Sequence, residues 1–263
     1  MMENLPFSIK ARLKTKVIGR EIVYVEETDS TNSDAFDLAT KGVDEGWVVI
    51  AERQRSGKGR RGKIWSSPGG QNIYLSVVLR PDVSSKKASL LNILAAVSVA
   101  ETLDEYIPKG VSIKWPNDIM VNGKKISGIL LEMGSESAGK NFYILGIGID
   151  LNCSKRDFPG EVSEIATSLY IELGYIVSIQ DVLFKLFYHM DNWYGKYTSL
   201  EFDDIIDRFR AFCETTGKRI RIEVSGKEIL GTAVGINEDG FLIVEDDDGG
   251  IHKAVSGDLS LET

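Results

Sequence analysis

A chain of 263 residues, 43% hydrophobic and 27% charged, is large enough for one ordinary core with a small appendage, and no stretch approaches the roughly 18 apolar residues of a membrane span. A formal net charge of -8 argues against binding nucleic acid over a broad surface, so DNA is not an expected partner. Two cysteines and two histidines exclude a disulfide framework and a histidine-rich metal site, and the N-terminus lacks the basic and apolar segments of a secretory signal, which points to the cytoplasm.

Residues 1–20 are mixed and basic and read as a solvated arm leading into the first strand. Glu21–Glu26 has the alternation of a strand. Asp29-Ser30-Thr31-Asn32-Ser33-Asp34 then resembles a capping signal, with Thr31 and Asp34 spaced as a capping box, and predicts a helix to about Thr40, stopped by Gly42. A compact apolar strand, Trp47–Glu52, runs into the most distinctive stretch of the chain, Arg53 to Trp65. Six of its thirteen residues are Arg or Lys, three are Gly and none is acidic, against the charge of the whole. Backbone N–H groups among glycines, with guanidinium forks beside them, suit phosphate oxygens, so this reads as an anion-binding loop, most simply for a nucleotide. A solvated basic loop is the ordinary alternative.

Downstream, strands over Asn72–Leu79 and Val111–Trp115 bracket a helix over Ala88–Tyr106. Ile119–Val121 and Lys124–Glu132 flank Asn122-Gly123, a two-residue hairpin turn, and Phe142–Leu151 ends the sheet. Helices are predicted over Glu164–Leu173, over Ile179–Tyr197 behind a Ser178/Asp181 capping box, and over Phe202–Thr215. After Gly217 come four short alternating strands, Arg219–Val224, Glu228–Ile236, Phe241–Glu245 and Ile251–Ala254, the pattern of a small all-β barrel. The acidic run Glu245–Asp248 reads as a solvated turn, and Cys153 and Cys213 as free thiols.

Four stretches, Ser30-Thr31-Asn32, the loop from Gln54 to Trp65, Lys114-Trp115-Pro116-Asn117-Asp118 and Lys124-Lys125-Ile126-Ser127-Gly128, together resemble the biotin protein ligases in order and type, from about Glu21 to Thr263. The resemblance implies an α+β fold. A mixed β-sheet catalytic domain backed by helices, of the class II aminoacyl-tRNA-synthetase-like kind, would cover 21–215, and a C-terminal SH3-like β-barrel 216–263, with 1–20 an N-terminal arm. It also implies a two-step reaction. ATP and biotin first give biotinyl-5′-adenylate and pyrophosphate; a lysine of a biotin carboxyl carrier protein then takes the biotinyl group.

The resemblance assigns roles residue by residue. Lys58 and Arg60 would hold the biotin carboxylate and the phosphate, with Arg61 as an accessory, and Lys125 would be the catalytic lysine, reaching both groups. Alone, Lys125 would read as an exposed strand lysine. Fixed cations make physical sense here, because a carboxylate must approach an anionic nucleotide. Ser30, Thr31, Asn32 and Gln54 offer hydroxyl and amide groups to the neutral ureido head of biotin, although Ser30 and Thr31 also suit helix capping. Gly59 and Gly128 would let backbone lie against the ligand. Asn117 resembles the family's nucleotide contact, Asp118 would orient or deprotonate the incoming lysine, and Trp65 offers either a flat face for adenine or an anchor for the loop. Mg²⁺ is expected to arrive with ATP, held by phosphate oxygens and water rather than by a protein cage.

Two departures stand out. Asp150 occupies a position that is commonly Asn in the family, and a carboxylate does not donate as an amide does. Some relatives carry an N-terminal helix-turn-helix domain; twenty residues before the first strand are too few for one, so the short form without operator binding is expected. A homodimer formed edge to edge remains open beside a monomer. Lipoate ligases and octanoyl transferases share the catalytic fold, but the Gly-Lys-Gly-Arg-Arg-Gly run with Lys-Trp-Pro-Asn-Asp favours biotin.

Overall fold

A computed structural model describes residues 12–136, 139–224, 226–257 and 259–261, so most of the expected N-terminal arm lies outside the described residues. Strands β1 (Glu21–Thr28) and β2 (Trp47–Gln54) are parallel, joined by the crossover helix α1 (Thr31–Thr40). With β3 (Ile73–Leu79), β4 (Val111–Lys114), β5 (Asp118–Val121), β6 (Lys124–Ser135) and β7 (Asn141–Ile149), all antiparallel to their neighbours, they form a mixed sheet in the order β1-β2-β3-β7-β6-β5-β4. The last strand of this sheet in the chain, β7, is therefore its middle in space.

The remaining helices are α2 (Ser89–Asp104), α3 (Val162–Ile165), α4 (Leu169–Leu173), α5 (Ile179–Thr198) and α6 (Phe202–Phe212). Alternation along β7 separates two layers. Tyr143, Leu145, Ile147 and Ile149 join the main core with α2, α5 and α6. Helix α2 is buried on nearly every side, which is why its sequence is apolar all round. Phe142 and Ile144 face the other way, into a smaller cluster with Ala35 and Ala39 of α1 and Val49 and Val78 of the sheet. The next residues on that face are Gly146 and Gly148. Large side chains stop there, and the cavity begins.

Several boundaries differ from expectation for identifiable reasons. The N-cap of α1 is Ser30, not Thr31, and its side chain makes no capping bond; Thr31 is drawn instead toward Gln54. The helix expected over 164–173 is split into α3 and α4, because Ala166 bridges to Lys125, the Thr167 N–H donates to the Lys125 carbonyl at 2.8 Å, and Ser168 Oγ caps α4 by accepting from the Ile171 N–H. Helix α6 stops at Phe212 rather than Thr215: Cys213 pairs with Ile113, and Thr215 Oγ1 accepts from the Trp115 N–H at 3.0 Å.

The C-terminal unit is a five-stranded antiparallel sheet of the SH3-like kind, β8 (Arg219–Val224), β9 (Lys227–Ile236), β10 (Leu242–Asp246), β11 (Ile251–Ala254) and β12 (Leu259–Leu261), in the order β11-β10-β9-β8-β12. Its last strand, only three residues long, was not expected. The acidic run does form a turn, with Asp246 Oδ1 accepting from the Asp248 and Gly250 N–H groups. Trp115 Nε1 donates to the Gly240 carbonyl at 2.9 Å and Lys87 pairs with Asp239 at 2.7 Å, which seats this unit beside the β4–β5 corner. Both cysteines are free. Among the described residues no helix is long and apolar enough to cross a membrane, and no group of His, Cys, Asp and Glu could hold a metal ion.

Candidate active site

One cavity of about 730 Å³ opens on the α1 face of the sheet. Its wall includes every residue named from the sequence except Arg61, which is exposed in the left-handed region at φ 53. A tight 3₁₀ turn over Arg60–Gly62 carries Arg61 outward while Arg60 turns in.

At one end, polar groups form a closed network. Gln54 Oε1 accepts from the Thr31 N–H at 2.9 Å and from Thr31 Oγ1 at 3.2 Å, and Gln54 Nε2 donates to Ser67 Oγ at 2.8 Å. Ser76 Oγ bridges Thr31 Oγ1 and Asn32 Oδ1, and Asn32 Nδ2 donates to Glu132 Oε2 at 2.8 Å. Ser30, Thr31 and Asn32 are all buried. Gly146 makes the network possible, because a Cβ there would stand 2.8 Å from Asn32 Cγ and closer still to Oδ1.

Cations line the middle, each already partnered. Lys58 Nζ is 3.3 Å from Glu132 Oε1, Arg60 donates to Asn117 Oδ1 at 2.8 Å and to the Gly257 carbonyl at 3.3 Å, and Lys125 Nζ lies 2.6 Å from Asp118 Oδ1. Asn117 is itself fixed by donating to the Ile129 carbonyl at 2.8 Å. Strand register explains why Lys125 reaches the site. Ile119 pairs with Ser127 but Met120 with Lys125, so Ile126 is an extra residue, a β-bulge in β6. Without it, Lys125 and Gly128 would face opposite sides; with it, Lys125 Nζ comes within 3.4 Å of where a Gly128 Cβ would be.

Trp65 covers the floor. Gly128 and Gly148 face each other across β6 and β7, and the indole lies on both: a Cβ at Gly148 would meet Nε1 at 2.5 Å, and one at Gly128 would meet the ring at 2.9 Å. Lys125 Nζ stands 5.3 Å from the indole centroid, in cation–π range. The indole N–H is buried with no hydrogen-bond partner among the described residues. Beyond it Asp150 and Cys153 close the far end. Burial, only partly offset by Lys125, pushes the Asp150 carboxyl well above the usual carboxylate range, and burial pushes the Cys153 thiol up to about 12, so neither reads as an anionic nucleophile.

Ser67, Ser76, Glu132 and Lys63 also belong to the site or its support and were not picked out from the sequence. Ser76 carried a legible signal, as the one polar residue in the apolar strand Ile73–Leu79. Glu132 carried none, since its partners lie 74 and 100 positions away.

Residues 24–152 match the biotin/lipoate A/B protein ligase family, and residues 215–261 match the biotin protein ligase C-terminal domain. The bifunctional ligase/repressor BirA of Bacillus subtilis is 35% identical, over 96% of this chain and 78% of its own length. A biotin–[acetyl-CoA-carboxylase] ligase of Mycobacterium tuberculosis is 32% identical, over 89% of this chain and 88% of its own. Among solved structures, the biotin protein ligase from Aquifex aeolicus in complex with biotin and ATP superposes with a TM-score of 0.79 at 30% identity, covering 92% of this chain and 99% of that one. Sequence identity sustained across both units, on a shared fold, means that this chain is a ligase and belongs to the biotin protein ligase family.

Proposed function

We propose that the enzyme, in the cytoplasm, joins biotin and ATP to give biotinyl-5′-AMP and pyrophosphate, then transfers the biotinyl group to one lysine of a biotin carboxyl carrier protein. The observation that carries this reading is one cavity with a hydrogen-bonding end, Lys58, Arg60 and Lys125 in the middle, Trp65 on its floor and Asp150 and Cys153 closing the far end. The network of Thr31, Asn32 and Gln54 suits a ureido head, and an apolar chain would run from it along the glycine floor.

In the first step a carboxylate oxygen forms a bond to the α-phosphorus as the bond to pyrophosphate breaks. A cation about 4 Å from such an anion contributes roughly 4 kcal/mol at an effective dielectric near 20, before desolvation is subtracted. Lys58, Arg60 and Lys125 supply that charge by exchanging Glu132, Asn117 and Asp118 for the substrates. Exchange frees Asp118, which then accepts the proton of the incoming lysine amine as it attacks the acyl carbon and AMP departs. Mg²⁺ would ride on the phosphate oxygens and water.

The test is transfer of radiolabelled biotin to a biotin carboxyl carrier domain with and without ATP, beside a lipoate arm. ATP-dependent labelling with biotin is the expected result. Labelling with lipoate alone would retain the fold and overturn the substrate.

A further inference from the structure

Residues two apart on β6 share a face, so Gly128, Leu130 and Glu132 follow one another on the cavity side. Glu132 itself does not line the cavity. It stands behind the polar end, one carboxylate oxygen accepting from Asn32 Nδ2 at 2.8 Å and the other facing Lys58 Nζ at 3.3 Å. A carboxylate holds only lone pairs, so Asn32 must turn its NH₂ to Glu132 and its carbonyl oxygen to Ser76. Ser76, fully buried, has one hydrogen and two oxygens in reach, Asn32 Oδ1 at 2.5 Å and Thr31 Oγ1 at 2.8 Å. The carbonyl oxygen has no hydrogen of its own, so it takes that of Ser76. The other end of the network is fixed in the same way. The Trp65 carbonyl accepts from Ser67 Oγ at 3.1 Å, Ser67 Oγ accepts from Gln54 Nε2 at 2.8 Å, and Gln54 Oε1 faces the Thr31 N–H. With a pure acceptor at each end, the Thr31 hydrogen is drawn inward, to Ser76 Oγ or to Gln54 Oε1 at 3.2 Å. Toward the cavity, which Thr31 lines, its hydroxyl therefore offers lone pairs alone.

We propose that Glu132 is a positioning residue for ligand selection: acting through Asn32 and Ser76, it sets the polarity of the network, so that Thr31 accepts from a head-group N–H and rejects an oxygen in the same place. This rests on the reading of the ligand as biotin, whose ureido ring presents N–H groups. Glu132→Gln keeps the shape of the side chain and reverses the order behind it. The new carbonyl turns to Lys58 and the new NH₂ to the Asn32 carbonyl, Asn32 Nδ2 donates to Ser76 Oγ, and the Ser76 hydrogen moves to Thr31 Oγ1. The Thr31 hydrogen is then free to meet a ligand oxygen.

Equilibrium titration of biotin and of its two cyclic-carbamate analogues, each with a ring oxygen in place of one ureido N–H, measures that selection directly. The native enzyme should bind at least one analogue about ten- to a hundredfold more weakly than biotin, the scale of a buried acceptor left facing an oxygen. In Glu132→Gln the difference should shrink to about threefold or less, the scale of a neutral hydrogen bond. All three ligands carry the same carboxylate tail, so a changed Lys58 contact, or a merely structural fault, weakens them together and leaves their ratio alone. Adding Asn32→Asp to Glu132→Gln should restore the native ratio, because a carboxylate at position 32 again takes the Ser76 hydrogen. Equal binding of all three ligands by the native enzyme, an unchanged ratio in Glu132→Gln, or no recovery in the double variant overturns the role of Glu132 and leaves the ligase reading standing. No binding of biotin by the native enzyme overturns the ligase reading and this inference together.

Discussion

Gly146→Ala is the smallest change that should disable the polar end of the cavity. Gly146 has ordinary strand geometry without positive φ, so the backbone accepts alanine, and loss of unfolded-chain freedom alone would stabilise the protein by about 0.4–1 kcal/mol. Sterics act the other way. The new methyl would stand 2.8 Å from Asn32 Cγ, and Asn32, 4% exposed, is locked by Ser76 and Glu132. Moving it breaks one neutral hydrogen bond, about 1 kcal/mol, and one to a carboxylate, about 1.5–3 kcal/mol. The net loss is about 2–3 kcal/mol, a fall of roughly 4–12 °C in Tm for a unit of this size. Calorimetry reads the melt and titration reads biotin affinity, which should weaken. The cycle with Asn32→Ala is the decisive control: in that background the clash is gone and Gly146→Ala should be neutral or slightly stabilising. Equal losses in both backgrounds would refute the steric account.

Lys125→Ala should reduce biotinyl-AMP formation about 10²- to 10³-fold, measured as pyrophosphate release, while Asp118→Asn should slow transfer to the carrier more than adenylation; equal damage to both steps by Asp118→Asn would remove its role as a base. We expect the basic loop to close over the adenylate, so trypsin should cut after Lys58 and Arg60 more slowly with biotin plus ATP than without, and equal rates would refute that closure. His189 sits between Glu101 and Glu105, at 3.0 Å from each; burial disfavours its charge, but these hydrogen bonds outweigh burial and raise its pKa above the ordinary value. A raised pKa in the fold contributes stability that is complete below the ordinary histidine value, about 6.5, and disappears as pH climbs through the raised one. His189→Gln should therefore lower Tm more at about pH 6 than at about pH 9, and the opposite order would show that the ring is neutral in the fold.

How legible this was in the sequence depended on the range of the interactions. The β5–β6 hairpin was readable because Asn122 and Gly123 both take positive φ, at 49 and 78, which only a few residue types favour. The basic loop was readable because its composition opposes that of the chain. Direction within the loop was not, since nothing local distinguishes Arg60, turned in, from Arg61, turned out. The break between α3 and α4 escaped notice for a related reason. Local periodicity continues through Ala166–Ser168, but the backbone is captured by Lys125, 42 positions earlier, as the Thr167 bond records. The bulge at Ile126 is likewise a property of two strands rather than one, although it decides which of two adjacent lysines enters the cavity.

The indole resting on Gly128 and Gly148 also shapes the energetics of binding. A ligand that reaches those glycines exchanges with apolar surface already in place, so less new hydrocarbon leaves water than the ligand's own area implies. The heat-capacity change on binding should accordingly be smaller in magnitude than burial of that ligand in a wet groove would give. The displaced ring, one of four tryptophans in the chain, would report the exchange by its own fluorescence. On that account the floor is a seat with a resident occupant, and selectivity for ligands is partly a contest with Trp65.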